Sequence, residues 1–307
     1  PYPKKVGKIY SIEILKRQFK SALINLGLFE SIHYSLVPSL DKEVLLNPFS
    51  KDQSNLRPNL LNGLIKSSIQ NFDQNASSLS AFEFGRVFIQ NKESSISEHE
   101  LVAGIMGGRK YRTDWSVNSD YETWYQAKAK IDEIFYIFDL SPKWVKVEEG
   151  ISSNSFFHPQ RTAVLSVDGI KFGMFGQIHP KISNEYSLSP QTYLFEFNVT
   201  NIDVARNLNS RKQYKSYSFY PVVSRDLNFL FDKSIEYKKI EDIINKNAGP
   251  FLKSIRLLDT YQNQNSKGIN LTFNLQFQSF SGTLVTAEVD ETINQIQNSL
   301  EENFSIS

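Results

Sequence analysis

Cysteine is absent from the 307 residues. That excludes disulfides, thiolate zinc sites, iron–sulfur clusters and cysteine nucleophiles together. Long apolar runs are missing as well, none approaching the ~18–20 residues a membrane span needs. No basic-then-apolar leader stands at the start. The four histidines, His33, His99, His158 and His179, show no pairing at i, i+3 or i+4, so a histidine-based zinc site is not expected. G-x-G-x-x-G, Walker, H-E-x-x-H and G-x-S-x-G strings are all lacking, and the acids around Asp41-Lys42-Glu43 form no motif. An excess of one charge sign is missing too: 34 Lys and Arg face 33 Asp and Glu, a formal +1. Taken alone, that balance argues against nucleic acid, because phosphate binding draws largely on Lys and Arg.

What is present is the composition of a folded chain. Hydrophobic residues make up 40% and charged residues 22%, enough to bury a core, and the length suits two domains. The 37 Ser and 25 Asn beside 23 Phe and 14 Tyr suggest AT-rich coding rather than a special fold. The chain starts at Pro1 rather than Met, so a fragment or processed chain is expected, with parts of a parent protein left upstream.

Periodicity sets out the elements. Ile12, Leu15, Phe19, Ala22, Leu23 and Leu26 recur at steps of three and four, predicting a helix over 11–26 with Ser11 as N-cap and Gly27 as its stop. Ser31–Leu36 alternates like a half-buried strand that includes His33, and Val44–Leu46 reads as a short strand. A helix is expected over Asn59–Phe72, strands at Ala81–Phe88 and Glu100–Ile105, and an exposed loop over Asn91–Glu98. A helix follows at Trp124–Phe138. Thr162–Val167 and Ile170–Gln177 should pair across Asp168-Gly169, a dipeptide suited to a type I′ turn. Gly104–Arg109 invites a phosphate-cradle reading, but it opens no helix, so a glycine turn is expected. His158-Pro159 and His179-Pro180 read as strand-end markers, since the residue before proline is driven to extended geometry.

After a last strand at Tyr193–Phe197, the polar stretch from Arg206 to Lys215 reads as a linker. The division is therefore 1–205, linker 206–215 and 216–307. The second part runs strand Leu227–Phe231, helix Tyr237–Asn247, strands Leu252–Tyr261 and Ile269–Gln278, and a helix capped by Thr286. Phe304-Ser305-Ile306 could add a final strand, which makes a ferredoxin-like βαββαβ arrangement. The fold class is α+β throughout. Charge within this part is polarised: Arg211–Lys267 holds eleven Lys or Arg against six Asp or Glu, and Gly268–Ser307 holds no basic residue and five acids. A +5 stretch and a −5 stretch thus cancel. The basic stretch also carries Tyr214, Tyr217, Phe219, Tyr220 and Tyr261, and rings beside cations suit single-stranded RNA. The alternative is that these rings are core or linker anchors. Candidate RNA contacts are Lys215, Tyr217, Arg225, Lys253, Arg256 and Tyr261, with Arg225 alternatively held by a nearby acid.

Specific strings add a resemblance. Asn47-Pro48-Phe49-Ser50-Lys51-Asp52-Gln53-Ser54-Asn55-Leu56-Arg57-Pro58-Asn59-Leu60-Leu61 with Gly63-Leu64, Phe82-Glu83-Phe84-Gly85-Arg86-Val87-Phe88, His158-Pro159-Gln160-Arg161-Thr162-Ala163 and Gly173-Met174-Phe175-Gly176-Gln177-Ile178-His179-Pro180 resemble the bacterial-type phenylalanyl-tRNA synthetase β subunit. Tyr220-Pro221-Val222-Val223-Ser224-Arg225-Asp226-Leu227 and Thr283-Leu284-Val285-Thr286-Ala287-Glu288-Val289 resemble its C-terminal anticodon-binding module. The resemblance implies a class II synthetase-like, antiparallel-sheet domain without catalytic residues, followed by a ferredoxin-fold domain that contacts the tRNA anticodon region. It implies an α-subunit partner in an (αβ)₂ heterotetramer, with ATP and Mg²⁺ serving the holoenzyme and none bound by this chain, no membrane, and a bacterial cytoplasmic or plastid setting. The helices at 11–26 and 59–72 are candidate subunit contacts and read equally well as core. The family's editing region and acidic metal cluster lie upstream, so no catalytic, cofactor or metal residue is carried over. One departure stands out: the family's aromatic-Asp-x-Lys-Gly string appears here as Trp124-Tyr125-Gln126-Ala127-Lys128-Ala129. Two other functions are weighed, a self-sufficient organellar single-chain synthetase and a non-synthetase RNA-binding protein reusing the module. The first would need a second Arg in a glycine-rich segment of the motif 3 type to clamp ATP, and no later segment of that type appears.

Overall fold

The computed structural model describes residues 7–38, 45–74, 79–90, 95–108, 121–147, 156–208, 214, 216–232, 234–262 and 268–304. It divides into two compact units, Pro1–Lys212 and Gln213–Ser307. Among the described residues no helix is long and apolar enough to cross a membrane.

The first unit runs α1 (Ser11–Asn25), β1 (Phe29–Glu30), β2 (Leu36–Val37), β3 (Asn55–Leu56), α2 (Leu61–Asp73), β4 (Ala81–Gln90), β5 (Ile96–Gly107), α3 (Trp124–Ile137), β6 (Lys143–Lys146), β7 (Phe157–Val167), β8 (Ile170–Ile178), α4 (Pro180–Glu185), β9 (Thr192–Asn198) and α5 (Val199–Leu208). Seven strands form one sheet in the order β1-β4-β5-β9-β8-β7-β6. Its pairings are antiparallel except β1 with β4. Alternation along the strands feeds two cores. Phe82, Val102, Phe175, Phe195 and Phe197 pack with Leu15, Phe19 and Leu23 of α1 and Ile131, Ile134 and Phe135 of α3. Ala81, Val87, Ala103, Ile105 and Leu194 pack under Leu61, Leu64 and Ile65 of α2. A sheet covered on both sides has no wet face, which is why its central strands are apolar at nearly every position.

Several elements depart from the sequence reading, each for a local reason. Ser11 is the first helical residue of α1 rather than its cap, and its hydroxyl donates to Asp203 Oδ2 at 3.1 Å. Gly27, at φ 88°, ends the helix as expected. Residues 31–35 form no strand, because side chains take over their ladder bonds: His33 N–H donates to Glu83, and His33 O accepts from Arg57. Leu45 and Leu46 are likewise outside any strand, and Val44 lies outside the described residues. β5 begins at Ile96, so residues 96–98 are strand and not loop, and it continues through Gly104. The glycine turn starts only at Gly107-Gly108 (φ 88° and 75°), and Arg109 lies outside the described residues. Residues 206–208 are helical, not linker, because α5 continues its buried Val199, Ile202, Ala205 stripe to Leu208. Asp168-Gly169 makes the expected left-handed pair at φ 50° and 82°.

The second unit runs β10 (Val223–Asp232), α6 (Tyr237–Asn247), β11 (Leu252–Tyr261), β12 (Gly268–Phe277) and α7 (Thr286–Phe304). The sheet order is β10-β12-β11, with β12 antiparallel to both neighbours. That is the split βαβ of the ferredoxin arrangement, with the third strand between the first two. Leu271, Phe273, Leu275 and Phe277 alternate inward against Ile240, Ile244, Val289, Ile296 and Leu300 of the two helices. Thr286 is the first helical residue, not the cap, and Phe304 ends α7 instead of opening a strand. Phe304 is drawn into the helix by packing at 5.9 Å on Phe231. Residues 305–306 lie outside the described residues.

Gly173 and Gly169 test the backbone argument. A Cβ on Gly173 (φ 155°) would fall 2.0 Å from the Glu196 carbonyl oxygen, whereas one on Gly169 (φ 82°) would meet open space. Gly173→Ala is therefore expected to cost about 3 kcal/mol or more, since backbone cannot yield, and Gly169→Ala about 1 kcal/mol. Urea unfolding of the two variants, compared with the parent chain, reads the difference.

Candidate functional site

Arg57 anchors the polar centre of the first unit. It follows β3, and its backbone N–H donates to Ser35 O at 2.9 Å. Its side chain then reaches across β4. Nε donates to Arg86 O at 2.9 Å, and one terminal nitrogen donates to Glu83 Oε1 at 2.6 Å. The guanidinium passes directly over Gly85, where a Cβ would sit 2.1 Å from it. Glu83 is buried, and its second oxygen meets His33 Nδ1 at 2.6 Å, while His33 Nε2 lies 2.7 Å from Ser67. Burial works to raise the Glu83 pKa, but hydrogen bonds from His33 and Arg57 outweigh it and leave the group lowered. His33 is thus a hydrogen-bonding partner in a cluster and not a residue of an alternating strand.

Glu196 of β9 lies on the same sheet face, separated from Glu83 by Ala103 in the strand register. It accepts the Leu60 N–H at 3.0 Å, capping the start of α2. Burial pushes its pKa up to about 7, against the lowering effect of that bond. The two carboxylates are shifted in opposite directions by the same two causes in different proportion: Glu83 has a guanidinium, Glu196 has one amide.

The family departure at 124–129 also has a physical account. Gln126 and Thr123 form a reciprocal cap at the start of α3, Gln126 Oε1 accepting from Thr123 N at 2.9 Å and Thr123 Oγ1 accepting from Gln126 N at 3.3 Å. Lys128 sits 4.4 Å over the Trp144 ring and pairs with Asp132 at 2.5 Å, whose other oxygen accepts from Trp144 Nε1. Both residues serve the helix and its seam with β6.

In the second unit the described ones among the six candidate RNA contacts do not all share one surface. Lys215 lies outside the described residues. Tyr217 is exposed, its ring 4.9 Å from Phe219. Arg225 faces the helices, where Asp290 of α7 accepts its Nε–H at 2.9 Å, which is the structural alternative the sequence left open. Lys253 sits exposed at a register shift in β11. Arg256 and Tyr261 do share a surface, because they stand opposite Asn274 and Asn270 on the uncovered face of the sheet. Sequence reasoning missed the rest of that face. Asn274 donates to Ser224 and Asp226, Asn228 to Thr272, and Ser254 to Gln276. The signal was available: Asn270, Thr272, Asn274 and Gln276 are the polar half of the β12 alternation.

Two family models divide the chain between them. The phenylalanyl tRNA synthetase beta chain CLM domain matches residues 2–199, and the ferredoxin-fold anticodon binding domain matches 218–307. The chain belongs to the phenylalanyl-tRNA synthetase beta-chain family. A chloroplastic phenylalanine–tRNA ligase beta subunit of Phaeodactylum tricornutum is 36% identical over 98% of this chain and 44% of its own length. The beta subunit of Trichormus variabilis is 33% identical over 95% and 36%, and the chloroplastic one of Porphyra purpurea 31% over 92% and 40%. This chain thus spans less than half the length of these relatives. Among solved structures, a pyrrolysyl-tRNA synthetase of Desulfitobacterium hafniense aligns over 64% of this chain and 69% of its own at 11% identity and a TM-score of 0.47, a distant likeness that decides nothing here.

Within the family frame, the quoted strings around Arg57 and Phe82–Phe88 supply the ion cluster and the glycine it crosses. ATP and Mg²⁺ do not fit these residues. A phosphate clamp needs guanidinium groups fixed toward an open cleft. Arg57 is instead committed to Glu83 and two carbonyls, and Arg86 is exposed and pairs with Glu98. Among the described residues no group of three His, Asp or Glu is placed to hold a metal ion.

Removing either member of the buried cluster gives distinct outcomes. Arg57→Leu strands a buried carboxylate and is expected to cost about 3–5 kcal/mol by chemical denaturation. Glu196 has a folded pKa above its unfolded value of 4.5, near 7. Its ionisation therefore opposes folding, and stability falls as pH rises from about 4.5 to 7, then levels. Glu196→Gln should remove that slope and exceed the parent at pH 8 by on the order of 3 kcal/mol, while matching it near pH 4. The Glu83 contribution runs the other way and is lost below pH 4.5, so the two windows separate in a pH series of urea melts.

Proposed function

We propose that this chain supplies the non-catalytic class II-like part and the anticodon-contacting part of a phenylalanine–tRNA ligase beta subunit. Its partner is a catalytic alpha subunit in an (αβ)₂ heterotetramer, which joins phenylalanine to tRNA-Phe with cleavage of ATP to AMP and pyrophosphate. ATP and Mg²⁺ belong to the holoenzyme through the alpha subunit. One observation carries the inert role of this chain. The sheet face opposite α1 and α3 is packed under α2, and its best-placed guanidinium, that of Arg57, is locked to Glu83 at 2.6 Å. The full-chain alignment with beta subunits supports the assignment of partner and reaction, and the chloroplastic relatives favour the plastid stroma over a bacterial cytoplasm.

The helices once considered for subunit contact bury their apolar stripes in the cores, Leu15, Phe19, Ala22 and Leu23 in one case and Leu61, Leu64 and Ile65 in the other. The alpha subunit is therefore assigned to the exposed apolar side chains Phe29, Ile32 and Tyr34, which lie on and just after the edge strand β1. For the tRNA, Lys253, Arg256 and Tyr261 of β11 remain the contacts of choice, with Lys215 and Tyr217 ahead of the sheet and Arg225 acting through its pair with Asp290.

The purified chain should show no ATP–pyrophosphate exchange, and aminoacylation should require an alpha subunit with a complete beta chain. Exchange catalysed by this chain alone would sink the proposal. In that holoenzyme, Lys253→Ala and Arg256→Ala should each lower the salt slope of tRNA binding by about one, and Tyr261→Ala should cost about 1–3 kcal/mol of binding if a base stacks there. Unchanged slopes would remove β11 from the interface.

A further inference from the structure

Two histidines and one arginine that neither unit's core requires come together at the start of β7 and the end of β8. Phe157 stands opposite Ile178, and His179 N–H donates to Phe156 O at 2.7 Å, so His158 and His179 flank one rung of the ladder. Between Phe157 and Thr162 the register slips, and the extra residues carry Arg161 over Gln177. Gln177 is buried, 7% exposed; it donates to Pro190 O, and its Oε1 accepts from the Arg161 guanidinium at 3.0 Å. A buried amide with both ends occupied thereby fixes the direction of an exposed cation.

Both imidazoles are held in one tautomer. His158 Nδ1 accepts from the N–H groups of Gln160 and Arg161 at 3.0 and 3.2 Å, and His179 Nδ1 accepts from Lys181 N–H at 3.1 Å. The proton of each neutral ring must then sit on Nε2, leaving a fixed N–H donor on each. Among the described residues none of the three makes an ion pair, and Glu122, which with Arg161 acts on Tyr193, is held by Lys130 at 2.8 Å. His158 feels the other two: burial first, then the charges of Arg161 and His179, hold its pKa below its ordinary value. Turn capping alone would need an acceptor at 158 and at 179, which Asn or Asp provides. It would not need two Nε2–H donors gathered beside an uncompensated guanidinium.

We propose that His158, Arg161 and His179 form a phosphate-binding site that takes a backbone phosphate of the RNA bound by the holoenzyme. The site lies on an exposed ridge, with Pro159, Gln160 and Arg161 all open to solvent, which suits a phosphodiester passing over it better than an enclosed nucleotide. Backbone phosphates are what position an RNA on a protein without reading its sequence. The inference rests on the tRNA-ligase reading above.

The test uses the holoenzyme with a complete beta chain and measures tRNA-Phe binding against salt for Arg161→Gln and for the double variant His158→Asn, His179→Asn. Asn keeps a side-chain acceptor for the backbone N–H groups and removes both Nε2–H donors. Each variant should bind tRNA several-fold more weakly and lower the salt slope by about one, with an unchanged thermal midpoint. A parallel arm asks whether inorganic phosphate, ATP or tRNA protects the two histidines from diethyl pyrocarbonate. Protection by tRNA alone supports the backbone source. Protection by phosphate and ATP, with tRNA affinity unaltered in the variants, keeps a phosphate site but overturns its assignment to RNA. Unchanged affinity and no protection overturn it entirely. A parent holoenzyme that binds no tRNA would instead defeat the tRNA-ligase reading, so the two failures are distinguishable.

Discussion

The first unit turns on one buried ion pair. Arg57 and Glu83, 2.6 Å apart and both nearly out of solvent, gain strong attraction only because the remaining donors and acceptors are also met. Arg86 O, His33 O, His33 Nδ1 and the His33 backbone N–H meet them, and Ser67 in turn holds His33 Nε2. Each partner belongs to a different part of the chain, so the pair fixes the path of residues 31–35, the exit of β3 and the course of β4 together. It also sets the glycine at 85, since the guanidinium occupies the space a side chain would fill. A hydrophobic pair of equal volume would hold the same strands, but it could not specify which backbone carbonyls face them. What the ion pair adds is register.

The second unit shows how an averaged charge misleads. Its +5 and −5 stretches map to separate elements: β12 is uncharged throughout, and the acids of the last forty residues sit on α7. Among the described residues the cations lie on β10, α6 and β11, and those of β11 stand on the strand away from β10. The central strand offers uncharged polar groups on its open side, and Thr272, Asn274 and Gln276 are already bonded to side chains of the flanking strands. Any ligand on that surface must therefore displace or share bonds that the protein makes with itself. A specific contact there is gained by exchange, which favours recognition over raw affinity. Arg256 and Tyr261, at the edge of this network, are the groups free of that cost.

Much of the fold was legible in the sequence because period and burial agreed. α6 and β11 match their expected spans residue for residue, and the Asp168-Gly169 turn follows from two positions that tolerate positive φ. Errors cluster where side chains replaced backbone partners. Ser31–Leu36 alternates well enough for a strand, yet Arg57 and Glu83, distant in sequence, took its hydrogen bonds. α5 was missed because a polar composition hid three inward residues at steps of three. Phe304 looked like a strand residue by type and became the last contact of a helix. The cluster at 57, 83 and 196 was not readable as a site, since no local spacing links residues that meet only through the sheet register.

The strings that identify this family fall where the architecture is least forgiving, and that bears on what they mean. Gly85 lies under a guanidinium, Gly173 against a carbonyl of the next strand, Gly176 under the bulge that carries Arg161, and Arg57 in the buried pair. All four can be accounted for by packing and hydrogen bonding without any substrate. Such residues report that the seven-stranded sheet is built here; they do not report that it performs chemistry. The histidines at 158 and 179 differ in kind, because capping a turn uses only one nitrogen of each ring. Among the described residues, where nearly every polar group is matched to a partner, donors left over beside an arginine that makes no ion pair are the feature that points outward, toward a ligand.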